Sequence, residues 1–305
     1  MKYKLYEHRY TYSGNFAYAA DCIRHSLDML GWEQTTDEAD LHIYNHTCRD
    51  IEPDMPENSI IFKPTAPTCQ HFQICRQGYA NSSEITFEEP LEYEFRNYDI
   101  HEQRYVDDLI QRRANKWDDS IMLKWKEVKS LKSGHILVIG QMPRDETTHG
   151  FGFGDHWMKM KMIIDKLTFH KYDNVVIKLH PRLQKESHIV KDIPQQIEKW
   201  EAAGHQVLRG YESIHAVLPQ TVVAITENST AGIECMMHDV PIISYGYPDY
   251  HWITKDLRSL TELKNSIDNL KWFEIEDSRK FLYWYIFDYL CYDIPSTTKR
   301  LQELL

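Results

Sequence analysis

Five short apolar runs punctuate the second half of the chain: HILVIG (135–140), NVVIKLHP (174–181), HQVLRG (205–210), TVVAITEN (221–228) and VPIISYG (240–246). Between them, apolar residues recur at helical spacing over 155–167, 189–203, 212–218 and 230–238. Continuous Val/Ile/Leu runs alternating with helices mark a parallel sheet covered on both faces. The pattern predicts a doubly wound α/β domain over 133–275, with ligands expected at the carboxyl ends of its strands.

The first half is less regular. KYKLYEH (2–8), DLHIYNH (40–46) and SIIFKPT (59–65) predict strands, and 16–31, opened by YSGN, predicts a helix. A second α/β domain over 1–132 accommodates them, ending in a polar stretch, 97–132, that reads as a helical connector. Residues 62–90 read as a loop-rich stretch, either an acceptor surface or a folded Ω-like excursion. The segment SRKFLYWYIFDYLCYDI (278–294) is apolar on nearly every side, which predicts a buried helix. The tail, 276–305, is therefore expected to return to the N-terminal domain and pack back across both domains.

Length and composition agree with this division. A chain of 305 residues, 42% hydrophobic and 12% aromatic, suits two cores of about 150 residues each. The net charge of −11 argues against a general grip on nucleic acid. The six cysteines show no Cys-x-x-Cys pair and read as free thiols of a reducing compartment. The start, MKYKLYEHRY, lacks a signal-peptide core, and no stretch approaches the ~18–20 apolar residues of a membrane span. A cytoplasmic protein is expected, one that can still work at a membrane surface.

Candidate chemistry gathers at the predicted strand ends. In ENSTAGIE (227–234) a helix starting near Thr230 points unpaired N–H groups and its positive dipole end at what precedes it. Asn228, Ser229 and Thr230 offer polar groups, Gly232 offers close approach, and Glu234 lies one turn on, placed for ribose hydroxyls. The same residues also suit a plain N-cap with a solvated glutamate, and the stretch alone leaves both readings open. KLHPR (178–182) ends another strand, with Lys178, His180 and Arg182 as phosphate partners and Pro181 fixing the turn. Gln141 opens the long loop VIGQMPRDETTHGFGFGD (138–155), which carries Asp145 and Glu146. Its glycines have the wrong spacing for a dinucleotide fingerprint. Tyr245 and Gly246 close a strand in SYGYPDYHW (244–252). No Asp-x-Asp metal motif, Walker loop, His-Glu-x-x-His or Gly-x-Ser-x-Gly occurs, so neither metal nor cofactor is expected.

The order of these motifs resembles the capsule polysaccharide glycosyltransferases, especially retaining β-Kdo transferases that use CMP-Kdo. It runs Gly-Gln-x-x-x-Asp, Lys-x-His-Pro, Glu-Asn-Ser-Thr-Ala-Gly-x-Glu, then Tyr-Gly-x-Pro-x-Tyr, over roughly 135–252. The resemblance implies a GT-B-like architecture: two Rossmann-like domains facing a cleft, donor nucleotide on the C-terminal one and acceptor on the N-terminal one. By position it implies catalytic roles for Asp145 and His180, with Glu146, next door, as the fallback acid. It implies donor contacts from Gln141, Lys178, His180, Pro181, Arg182, Asn228, Ser229, Thr230, Gly232, Glu234, Tyr245 and Gly246. Ser13, Gly14 and Asn15 are the acceptor-side candidates. Arg144 stands where the family has the first of two acids. The expected partners are a CMP-activated sugar and a glycan or glycolipid acceptor, with possible association at the inner membrane face or in a capsule complex. The alternatives are a nucleotide-sugar epimerase or hydrolase of the same fold, and a non-catalytic glycan-binding protein of capsule assembly.

Overall fold

Residues 1–6, 14–116, 128, 131–143, 155–183, 192–209 and 212–305 are described by a computed structural model. They form two α/β units: Met1–Met122 with Lys280–Leu305, and Leu123–Arg279.

The first unit is built on strands β1 (Lys2–Leu5), β2 (Glu33–Gln34), β3 (Leu41–Asn45), β4 (Ser59–Pro64) and β5 (Phe72–Cys75), in the order β2-β1-β3-β4-β5. The first four are parallel; β5 runs antiparallel to β4. Tyr3, Leu5, Ile43, Ile60 and Phe62 form one buried cluster with Ile23 and Leu27 of the Gly14–Met29 helix and Leu301 of the Ile294–Leu304 helix. Each such side chain contributes about 1.5–3 kcal/mol of burial.

Two expectations for this unit change. Residues 62–90 are not only a loop: Phe72–Cys75 pairs with β4 as a fully buried strand. Four residues without alternation give too short a pattern to read. The tail is not one helix to 294, since the Ile275–Trp284 helix widens into a π-helical turn at Tyr285–Tyr289 and stops. Leu290 is extended there, and Cys291 exchanges two 2.9 Å backbone hydrogen bonds with Phe72. Asp293 then caps the last helix by accepting from the Ser296 N–H at 2.8 Å. The chain from Lys280 onward belongs to the first unit.

The second unit holds β6 (His135–Ile139), β7 (Val175–Lys178), β8 (Gln206–Leu208), β9 (Thr221–Thr226), β10 (Ile242–Ser244) and β11 (Lys255–Asp256). Their order is β11-β10-β9-β6-β7-β8, and every pairing is parallel. Side chains alternate across the sheet. Ile136, Val138, Val175, Ile177, Val223 and Ile225 meet Trp157, Met160, Ile163 and Ile164 of the His156–Phe169 helix and Ile197 and Trp200 of the Ile193–Ala202 helix. Leu137, Val176 and Ala224, on the opposite face, are buried as well, which is why these strands read as continuous apolar runs. The five predicted runs are all strands; the two-residue β11 has no pattern to announce it.

Among the described residues no helix is long and apolar enough to cross a membrane. All six cysteines are free thiols, five of them buried.

Candidate functional site

In the second unit the chain begins at the centre of its sheet. It builds outward from β6 through β7 to β8, then returns to β6's other side to lay down β9, β10 and β11. The strand order thus reverses between β6 and β9, where open parallel sheets bind ligands outside the carboxyl ends. Register fixes what meets there: Ile139 sits beside both Lys178 and Thr226, and Thr226 beside Ser244. The residues just beyond these pairs therefore share one edge. They are Gln141, His180, Glu227 to Thr230, Tyr245 and Gly246.

The turn after β7 is closed by its own backbone. The Leu183 N–H donates to the His180 carbonyl at 3.0 Å, and the Arg182 N–H donates to His180 Nδ1 at 3.2 Å. An amide can only donate, so Nδ1 is an acceptor and the neutral ring carries its proton on Nε2. Arg182 is exposed and Pro181 half-buried. Lys178 is buried; desolvation pulls its ammonium down to about 8, against the opposing pull of the Glu212 and Glu234 carboxylates. That opposing pull places Glu234, after β9, within electrostatic reach of the last residue of β7.

After β9 the helix spans Ala231–Met237, one residue later than expected. Ser229 is nearly buried and its hydroxyl accepts from the Ala231 N–H at 3.2 Å, a capping role; the Thr230 side chain makes no cap bond. Glu234 is buried rather than solvated. Gln141 and Asn228 approach across the switch point, Nε2 to Oδ1, at 3.5 Å.

The Cβ positions of Gly232 and Gly246 are both taken up by protein. A Cβ on Gly232 would overlap the ring of Tyr250, whose hydroxyl donates to the Ser229 carbonyl. A Cβ on Gly246 would overlap Glu227 Cγ. Tyr245 lies parallel to the His156 ring, centroids 6.4 Å apart, and its hydroxyl is buried. Burial raises that phenol well above its usual range, and the Glu227 charge adds to the effect.

Sequence reasoning missed the groups beneath this edge. Glu227 is 1% exposed; its Oε2 accepts from His156 Nδ1 and its Oε1 from Lys159 Nζ at 2.5 Å. His156 Nε2 accepts from the Gln141 N–H at 2.7 Å. His156 and Lys159 lie three residues apart, one helical turn, and that spacing was the available signal. Asp155 fixes the helix start by accepting from the Met158 N–H at 2.8 Å.

Asp145 and Glu146, with Arg144 and Ser13, lie outside the described residues. Gly14 and Asn15 begin a helix in the first unit, where the Asn15 side chain donates to the Lys116 carbonyl at 3.2 Å.

Residues 41–270 match the family described as capsule polysaccharide biosynthesis protein. No curated protein matches. Among solved structures, the chain is similar to the KpsC β-Kdo 2,7 transferase of Thermosulfurimonas dismutans, at 13% identity and TM-score 0.57, over 99% of this chain and 98% of that one. It is similar to the KpsC β-Kdo 2,4 transferase of the same organism at 12% identity and TM-score 0.57, over 100% and 98%. At such identities the likeness speaks for the fold, two Rossmann-like domains of GT-B type.

Proposed function

Because the chain belongs to the capsule polysaccharide biosynthesis family, we propose that it is a glycosyltransferase. In this reading it moves Kdo, or a related 3-deoxy-ulosonic acid, from its CMP-activated donor to a glycan or glycolipid acceptor, with retention and without a divalent metal. The observation that carries the reading is the single polar edge at the β6/β9 switch point, where the turn at His180 and the segment Asn228–Thr230 lie on the same side of one sheet.

The chemistry follows from those groups. CMP leaves as a phosphate monoester, and charge develops on a phosphate oxygen as the glycosidic bond breaks. His180, protonated on Nε2, is the donor to that oxygen, with Lys178 and Arg182 supplying positive charge nearby. Glu234 accepts ribose hydroxyls. Retention takes two displacements. The Asp145 carboxylate attacks the anomeric carbon and expels CMP, giving a glycosyl ester; the acceptor hydroxyl then displaces the carboxylate and its proton passes to solvent water. Glu146 is the alternative acid. The acceptor binds the first unit near Ser13, Gly14 and Asn15, and the enzyme works at the inner face of the membrane.

Calorimetry with CMP, UDP and GDP tests the donor, with CMP expected to bind most tightly; preference for UDP removes the Kdo assignment. Asp145→Ala is expected to abolish transfer while CMP binding stays within about threefold, the pattern of a lost transition-state interaction. Donor consumed equally fast without any acceptor overturns transfer in favour of hydrolysis or epimerisation.

A further inference from the structure

Beneath the switch point sits a charge cluster that the proposed chemistry does not use. Backbone pairing between β6 and β9 ends at Ile139 and Thr226. Beyond that point side chains take over. The Gln141 amide donates to His156 Nε2, and His156 Nδ1 donates to Glu227. The amide forces Nε2 to accept, so the imidazole is neutral and the ionised Glu227 has Lys159 as its counter-ion. The third strand end joins through Gly246, whose missing Cβ leaves the Glu227 side chain its path, and through Tyr245, stacked on the imidazole.

Stability does not account for this arrangement. His156, Glu227 and Lys159 are 0%, 1% and 4% exposed as side chains. Removing such charges from water costs several kcal/mol each, and apolar groups of the same volume commonly serve a fold as well. The geometry has another consequence: the ends of β6 and β9 are tied to one carboxylate, with the end of β10 packed against it, at the place where an anionic donor is expected, and Lys159 neutralises that carboxylate.

We infer that His156, Glu227 and Lys159 are positioning residues for the donor, clamping the ends of β6, β9 and β10 and cancelling a negative charge that would repel the donor phosphate. This rests on the reading of that edge as a nucleotide-sugar site. The cluster touches no reacting atom. Its effect is on where Gln141 and Asn228 stand and on the local potential.

Two variants separate positioning from structure. Glu227→Gln with Lys159→Met removes both charges together, and Lys159→Met alone leaves the carboxylate bare. The double variant is expected to melt within a few degrees of the parent, to bind CMP within about threefold, and to lose about 10²-fold in kcat, the scale of a 1 Å misplacement. Amide exchange at Gln141 is expected to accelerate. The single variant is expected to bind CMP more weakly than the double one, with the gap narrowing in high salt. Parent kcat and unchanged Gln141 exchange in a well-folded double variant overturn the inference. If the double variant does not fold, His156→Gln, which removes the link but no charge, carries the same exchange and kcat readings. Faster Gln141 exchange in the double variant, with a parent protein that binds no nucleotide, defeats the donor reading while leaving the clamp in place.

Discussion

Both sheets reverse their strand order beside the first strand laid down, and they differ in what they place at that switch point. In the first unit the order reverses between β1 and β3; in the second, between β6 and β9. The first edge is aromatic. Tyr6 and Tyr44 stack with centroids 4.4 Å apart, the Tyr6 hydroxyl bonds His42 Nδ1 at 2.9 Å, and Lys63 Nζ lies 3.3 Å from the Tyr79 ring centroid. His46, the residue after β3, takes a left-handed backbone with φ of 53°. The second edge is charged, with Lys178, Glu227, Glu234 and Lys159 all buried. The same kind of switch point thus supports two surfaces of opposite character: side-chain chemistry decides what each edge can hold.

The largest consequence of that contrast is a pH dependence carried by the charged edge. Lys178 holds its proton less tightly folded, near 8, than unfolded, near 10.5. Between those values the unfolded chain binds the extra proton, so stability rises with pH across the window and the penalty is fully present below it. A shift of this size corresponds to about 3 kcal/mol. Urea unfolding of the parent and of Lys178→Met, from pH 8 to 10.5, is expected to show the parent gaining on the variant by that order. Parallel curves would mean that Lys178 stays charged in the fold, and the edge would be wetter than described.

A smaller effect tests whether the glycines of the charged edge serve protein or ligand. Gly246→Ala drives a methyl into Glu227 Cγ, which is held on both oxygens. Overpacking of this kind costs about 1–3 kcal/mol. The loss is expected in the melting curve of the protein alone, before any nucleotide is added. A variant as stable as the parent, yet weaker for CMP, would return Gly246 to the ligand.

Much of this was legible in the sequence, and the failures have physical reasons. The central strands β6, β7 and β9 of the second sheet are largely buried on both faces, so each shows as an apolar run, and parallel strands put all their ends on one edge. His180 and Ser229 could be placed from that alone. Glu227 sits in the quoted ENST segment, but nothing local says that its carboxylate turns inward. Its partners lie 71 and 68 residues away in sequence. Gly232 and Gly246 show the same limit: a missing Cβ announces close approach without saying whose atoms approach, and only the fold puts Tyr250 and Glu227 on that side. The β5 strand and the break at Leu290 escaped because each is set by the other's neighbourhood, through Phe72 and Cys291.

The smallest effect measures the aromatic edge by itself. Tyr6 follows β1 and Tyr44 lies in β3; the Tyr6 N–H donates to the Ile43 carbonyl at 2.9 Å, which sets the two rings side by side with an interplanar angle of 6°. Burial raises the Tyr44 phenol to about 12, with its bond to Tyr6 adding to the rise. A stacked pair of this kind contributes about 0.5–1.5 kcal/mol beyond the area it buries. A double-mutant cycle with Tyr6→Leu and Tyr44→Leu isolates that coupling, because leucine keeps the apolar volume while removing ring and hydroxyl. The coupling is expected to be insensitive to salt, whereas a cycle on Lys178 and Glu234 in the second unit should carry a Coulombic part. Equal salt dependence in the two cycles would erase the distinction between the aromatic pair and the charged one.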